Sequence, residues 1–295
     1  MAALRTLVCL TAALLGAAGV GPALAADTPA ERRVALVIGN GAYRAGALAN
    51  PVNDARAMAA TLKSLGFEVT AKENLDLAGM VEAVRALYLK SKDYDVRLFY
   101  YAGHGVQIKG RNYLVPVGVQ AIAEEDVGSR TLDLNELLER LGSVRPGLNL
   151  VVLDACRSNP FLGPTMLTAD GRAIKLRGMS GARPGLAQVE AAQGTLVAYA
   201  TAPGQVAVDG NQGANGLYTH HLLNFMTVPG LPVETLFKRV RNAVTRDTRG
   251  EQIPWESSSM VGEFCFRHVA GGGCLANGES RAFEPGAGSA SGTDP

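Results

Sequence analysis

The chain has 295 residues, 47% of them hydrophobic and 19% charged, which is enough to bury a substantial core. Its formal net charge of +1 leaves no cationic excess to neutralise phosphates, which argues against a nucleic-acid partner. Past the first residues, no segment is apolar over the ~20 residues that a membrane span needs.

Residues 1–25 read as a secretory signal peptide. Arg5 precedes the short apolar stretch LVCLTAALLGAAGVG, and Ala23-Leu24-Ala25 supplies a small-residue cleavage site. Its removal takes away one arginine and no acid, so the mature chain is balanced in charge. Three of the four cysteines remain: Cys156, Cys265 and Cys274. The expected location is outside the cytoplasm, in a periplasm, where an odd thiol count leaves at least one cysteine unpaired.

From residue 33 the pattern alternates between strands and helices. RVALVIGN (33–40) is an unbroken apolar run of strand length. Asn53 is expected to cap a helix carrying Met58, Leu62 and Leu65, closed by Gly66. FEV (67–69) reads as a short strand, and 77–91 as a helix with Met80, Val84 and Leu87 on one face. VRLFYYA (96–102) is a second buried strand leading into Gly103-His104-Gly105, and YLVPVG (113–118) is expected to fold back as a hairpin. Asp133 with Glu136 predicts a capped helix carrying Leu134, Leu137, Leu138 and Leu141. LNLVVLDA (148–155) is the next strand, and 162–193 shows no sustained periodicity. TLVAYATA (195–202) and MVGEFCF (260–266) read as further strands, with helices near 216–227 and 233–246 between them. The tail, 276–295, has the composition of a disordered end. Strand–helix alternation predicts one α/β domain built on a mostly parallel sheet with helices on both faces.

Several motifs carry little. Gly39-Asn40-Gly41 would need a third glycine where Arg44 stands, so no dinucleotide fingerprint is present. Gly178-Met179-Ser180-Gly181 lacks the spacing of a nucleophile elbow. His220 and His221 point about 100° apart on a helix and suit a plain surface better than a shared metal. Cys265, His268 and Cys274 could provide three zinc ligands, but no fourth is evident, and a Cys265–Cys274 disulfide is the favoured reading in a secreted chain.

His104 and Cys156 stand apart, each placed at the end of a buried strand. Open α/β sheets bind ligands beyond the carboxyl ends of their strands, so neighbouring strands would set both residues over one crevice. A histidine in reach of a thiol can take its proton and yield a nucleophile at neutral pH. Gly103 and Gly105 let a substrate carbonyl approach the backbone, and the N–H groups of Gly105 and Cys156 are candidate oxyanion donors.

YYAGHG (100–105) followed by Cys156 in DACRS (154–158) resembles the caspase superfamily of cysteine peptidases, whose histidine precedes its cysteine by some 50 residues. The likeness to bacterial metacaspase-like members runs from about Arg33 to Phe266, through VALVIGN, NDA, YAGHG, LDACR-NPF and PWESSS-type segments. It implies a caspase-like sandwich over 33–268, with a six-stranded, mostly parallel sheet, a His104–Cys156 dyad, and an oxyanion hole at Gly105 and Cys156. Caspases that cleave after aspartate have a glutamine two residues before the cysteine. Here that place is Asp154, and Asp54 in Asn53-Asp54-Ala55 matches a second acid of the metacaspases. Two carboxylates in the S1 pocket would repel aspartate and select Arg or Lys. Taken alone, Asp54 is equally an exposed first-turn acid favoured by the helix dipole.

The resemblance thus implies an endopeptidase acting on proteins or peptides with a basic P1 residue, and the signal-like residues 1–25 add that it is secreted. Its rivals are a caspase-fold binding module with little turnover and a cysteine hydrolase or transferase acting on non-peptide acyl groups. Arg172, Lys175, Arg177 and Arg183 in 162–193 would suit self-cleavage or, equally, an ordinary basic loop. No cofactor is implied. Metacaspases often need calcium, but Glu124, Glu125 and Asp126 do not assemble the six or more oxygens that ion takes and read as a solvated acidic turn.

Overall fold

The computed structural model describes residues 31–275, apart from Ala45, 120–125, Arg145, 157–165, 168–172, 175–181, 184–185, 188–190, 203–214 and Gly271. The signal peptide and tail expected at 1–25 and 276–295, the acids Glu124 and Glu125, and the basic residues Arg172, Lys175 and Arg177 lie outside the described residues. In chain order the elements are β1 (Arg33–Gly39), α1 (Pro51–Ser64), β2 (Phe67–Glu73), α2 (Leu77–Ser91), β3 (Val96–Ile108), β4 (Arg111–Leu114), α3 (Val127–Arg130) and β5 (Leu132–Asp133). There follow α4 (Leu134–Gly142), β6 (Leu148–Cys156), β7 (Met166–Leu167), β8 (Ala173–Ile174), β9 (Ala182–Arg183), β10 (Thr195–Tyr199), α5 (Leu217–Met226), α6 (Val233–Asp247) and β11 (Trp255–Ser258).

Six strands run in the order β11-β10-β6-β3-β1-β2. β10, β6, β3, β1 and β2 pair in parallel, and β11 closes the edge antiparallel to β10. Parallel neighbours need crossovers, and the helices supply them while covering both faces. Even-numbered residues of β3 and β6 (Leu98, Tyr100, Leu150 and Val152) pack with Met58 and Leu62 of α1, Leu222 of α5 and Val240 of α6. Odd-numbered residues (Phe99, Tyr101, Val151 and Leu153) pack with Met80 and Leu87 of α2 and the four leucines of α4. Burial on both faces is why these strands read as unbroken apolar runs. Each of the α4 leucines, at most 3% exposed, contributes about 1.5–3 kcal/mol by the area it removes from water.

The fold corrects several local expectations. α1 begins at Pro51, with Asn50 rather than Asn53 at the N-cap position, because proline fits the first helical turn where no amide partner is needed. β2 is seven residues long, not three, since it pairs with all of β1. β3 does not stop before Gly103 but continues to Ile108, where its far end turns back on β4. The hairpin therefore spans 105–114 instead of 113–118, and its Lys109-Gly110 turn has φ of 50° and 81°, the positive pair that a two-residue hairpin loop requires. In α4 the Asp133 cap holds as expected, accepting from the Asn135 N–H at 2.9 Å, whereas Glu136 bonds Arg140.

Residues 260–266 are not a strand. The sheet's edge is Trp255–Ser258, and Phe264 and Phe266 leave it to pack on the helical core. Their carbonyl region is held by Arg33, whose guanidinium donates to Phe266 O at 2.5 Å and lies 5.6 and 5.1 Å from the Phe67 and Phe264 rings. Arg33 Nη2 also lies 3.0 Å from His268 Nε2, which must accept because guanidinium only donates. Cys265 and Cys274 form a disulfide with Cα atoms 5.6 Å apart, so neither supplies a zinc thiolate.

Candidate active site

Parallel pairing of β3 and β6 sets Ala102 opposite Asp154 and His104 opposite Cys156. Adjacent strands lie about 4.8 Å apart, so the histidine and cysteine backbones are immediate neighbours. Both belong to the even-numbered series of their strands.

The His104 side chain is 3% exposed. Its ring packs against Tyr43 with centroids 4.4 Å apart, and Nε2 is 2.6 Å from Gly46 O. A carbonyl only accepts, so Nε2 carries a proton, and the lone pair available for base chemistry is the one on Nδ1. The peptide of His104 is fixed as well. Its N–H donates to the Tyr43 hydroxyl at 3.0 Å, and its carbonyl accepts from the Tyr101 hydroxyl at 2.9 Å and from the Val115 N–H at 3.0 Å. Burial, and then the neighbouring Tyr43, hold the Tyr101 phenol well above its ordinary pKa, so it remains a donor.

Gly105 pairs with Leu114 of β4 in the hairpin. A Cβ there would lie 3.0 Å from Leu186 Cδ2 and 3.4 Å from Ala155 Cβ. Leu186 comes from a returning segment that is moored twice. β9 pairs antiparallel with Gln107 and Ile108, and the buried Asn112 amide donates to Ala187 O at 2.8 Å while accepting its N–H at 2.5 Å.

The two acids converge. Asp54, in the first turn of α1, is only 2% exposed, so the exposed helix-dipole reading does not describe it. Its Oδ1 accepts from the Gly216 N–H at 2.8 Å, and Asp154 Oδ2 accepts from the Thr219 hydroxyl at 2.6 Å. A methyl group on Gly216 would stand 3.1 Å from Asp54 Oδ2 and 3.5 Å from Asp154 Oδ2, which places both carboxylates around one point. Their charge is felt nearby. Burial foremost, then Asp154 and Asp54, push the Tyr100 phenol far above its usual pKa, and burial with Asp154 and Glu256 does the same to Tyr218. Paired carboxylates of this kind either share a proton or hold a cation between them.

Sequence reasoning missed Tyr43, Gly46, Gly216 and Thr219. Thr219 alone carried a signal, since a hydroxyl in the stripe Tyr218-Leu222-Met226 is buried and must find a partner. His221 bonds Asp247 at 2.7 Å, and burial lowers its pKa. Among the described residues, no group of three or more His, Cys, Asp or Glu side chains is set to hold a metal.

Against known proteins, residues 32–265 match the profile of the caspase domain, peptidase C14. The chain belongs to the caspase family. This caspase domain is also similar to human mucosa-associated lymphoid tissue lymphoma translocation protein 1, at 30% identity over 150 residues, and to its mouse homolog, at 29% over 146. These matches cover 50% and 49% of the chain but only 18% and 17% of the relatives, so the chain spans less than a fifth of their length. Among the described residues, no helix is long and apolar enough to cross a membrane.

Proposed function

We propose that this caspase domain is a secreted cysteine endopeptidase that cleaves proteins after Arg or Lys. The observation that carries the reading is the register of β3 and β6, with His104 beside Cys156 and Asp154 one pleat behind, joined there by Asp54. His104 Nδ1 takes the Cys156 thiol proton, and the thiolate attacks the scissile carbonyl carbon. The N–H groups of Gly105 and Cys156 stabilise the oxyanion. Collapse of the tetrahedral adduct breaks the C–N bond as the imidazolium protonates the leaving amine. Water, deprotonated by His104, then attacks the thioester, and the thiol regains its proton. Asp54 and Asp154 bind the P1 cation. Export is supported by the signal-like residues 1–25 and by the Cys265–Cys274 disulfide, a bond typical of oxidising compartments.

The test uses short fluorogenic peptides differing only at P1 (Arg, Lys, Asp, Ala), with the 26–295 protein under mild reductant, with and without calcium. Cleavage after Arg or Lys is expected, abolished in Cys156→Ala. In Asp154→Asn, kcat/KM on basic substrates should fall roughly 10- to 100-fold, the worth of a hydrogen bond to a charged group. Cleavage after Asp would overturn the S1 assignment. No cleavage, together with no labelling of Cys156 by a basic-P1 electrophile, would overturn the enzyme reading in favour of a binding module.

A further inference from the structure

Asp154 receives its hydrogen bond from a helix far along the chain. Thr219 of α5 is fully buried, and its Oγ1 lies 2.6 Å from Asp154 Oδ2 and 2.6 Å from the Tyr100 hydroxyl. A carboxylate only accepts, so Thr219 donates its one proton to Asp154 and must accept from Tyr100. A threonine inside a helix commonly turns its hydroxyl back on its own helix's carbonyls, whereas Thr219 spends its proton on another element. Three residues earlier, the Gly216 N–H donates to Asp54. The first turn of α5 thus touches both acids.

We infer that Thr219 is a positioning residue of the S1 site, passing the hydrogen bond of Tyr100 on to Asp154 and holding that carboxylate ionised and aimed at the P1 cation. The inference deepens the S1 reading above and rests on it. Donors in series polarise one another toward the charge they end on, and hydrogen bonds to the ionised form favour it. Tyr100 is suited to begin the series, because burial and the two carboxylates keep its phenol protonated.

The experiment compares wild type, Thr219→Val, Thr219→Ser and Tyr100→Phe on an Arg-P1 peptide across pH. The rate of Cys156 alkylation by iodoacetamide reports on the dyad without using S1. Among the described residues, the titratable groups near Asp154 include Asp54 from α1, Tyr100 and His104 from β3, Tyr218 from α5, and Cys156 on its own strand. The alkylation profile isolates the last of these and His104. Removal of the hydroxyl in Thr219→Val should lower kcat/KM about 10- to 100-fold, chiefly through KM, and move the acid limb to higher pH. Thr219→Ser should restore most of both, and Tyr100→Phe should shift the limb the same way by less. Wild-type KM and acid limb in Thr219→Val, or alkylation lost in step with cleavage, would overturn the relay. If Thr219→Val fails to fold, a wild-type limb and KM in Tyr100→Phe overturn it instead. Absence of basic-P1 cleavage in the wild type is a separate outcome, and it overturns the S1 reading itself.

Discussion

At Gly103, a methyl group would lie 2.7 Å from both the Tyr43 and Tyr101 hydroxyls, inside any tolerable contact. These hydroxyls hold the N–H and carbonyl of the next residue, His104, so the space is filled by the groups that fix the candidate base. Gly103→Ala must displace them, at a cost of about 1–3 kcal/mol for an overpacked site. The expected outcome is a lowered melting temperature with a larger fractional loss of kcat than of stability, read by thermal unfolding beside steady-state kinetics. Gly216 differs in kind. Its methyl would approach Asp54 and Asp154 at 3.1 and 3.5 Å, a tight but accommodable fit. Gly216→Ala should therefore fold normally and raise KM for an Arg-P1 peptide while leaving kcat nearly unchanged. A wild-type KM would show that substrate does not enter between the acids.

Among the elements, the segment around Cys265–Cys274 is held by Arg33 and by its short covalent loop. Closing a loop of this size removes about 2–3 kcal/mol of unfolded-state entropy, so Cys265→Ser with Cys274→Ser should destabilise by that order in denaturant titrations. A reductant should act on wild type as the double substitution does. The same region shows what a sequence reveals of an element and what it conceals. β1, β3 and β6 were legible because a strand buried on both faces must be apolar throughout, and α4 because four leucines recur at helical spacing. Residues 260–266 carry equal apolarity for another purpose, the packing of Phe264 and Phe266 against helices. The true edge strand, Trp255–Ser258, is polar at three of its four positions and is defined by its partner β10. His104, Cys156 and Asp154 stood out as candidates because a base, a thiol and an acid together at the ends of apolar runs are hard to explain by packing alone. Gly216 did not, and Thr219 showed only as a buried hydroxyl in need of a partner, because their contacts lie 162 and 65 residues away in the chain.

For the molecule as a whole, Tyr100, Tyr101 and Tyr218 are among the fully buried of the eight tyrosines, and their pKa values are raised well above the ordinary 10.0. Raised values mean that the folded state keeps protons the unfolded chain would release. The stability tied to them is intact below pH 10 and drains away as pH rises toward the folded values. An alkaline titration should show exposed tyrosines ionising first, then a cooperative burst of tyrosinate absorbance coincident with loss of circular dichroism. Gradual ionisation of all eight without unfolding would contradict that account. The order of the sheet has a consequence of its own. β10 lies between β6 and β11, β9 and Ala187 are fastened to β3 and to Asn112 of β4, and α5 reaches back to Asp54 and Asp154. The part of the chain ending in Cys156 and the part beginning at Ala182 therefore adhere through shared hydrogen bonds and core, whatever becomes of the peptide joining them. A protein nicked once between those residues should elute from a sizing column as a single particle, parting into two bands only when denatured.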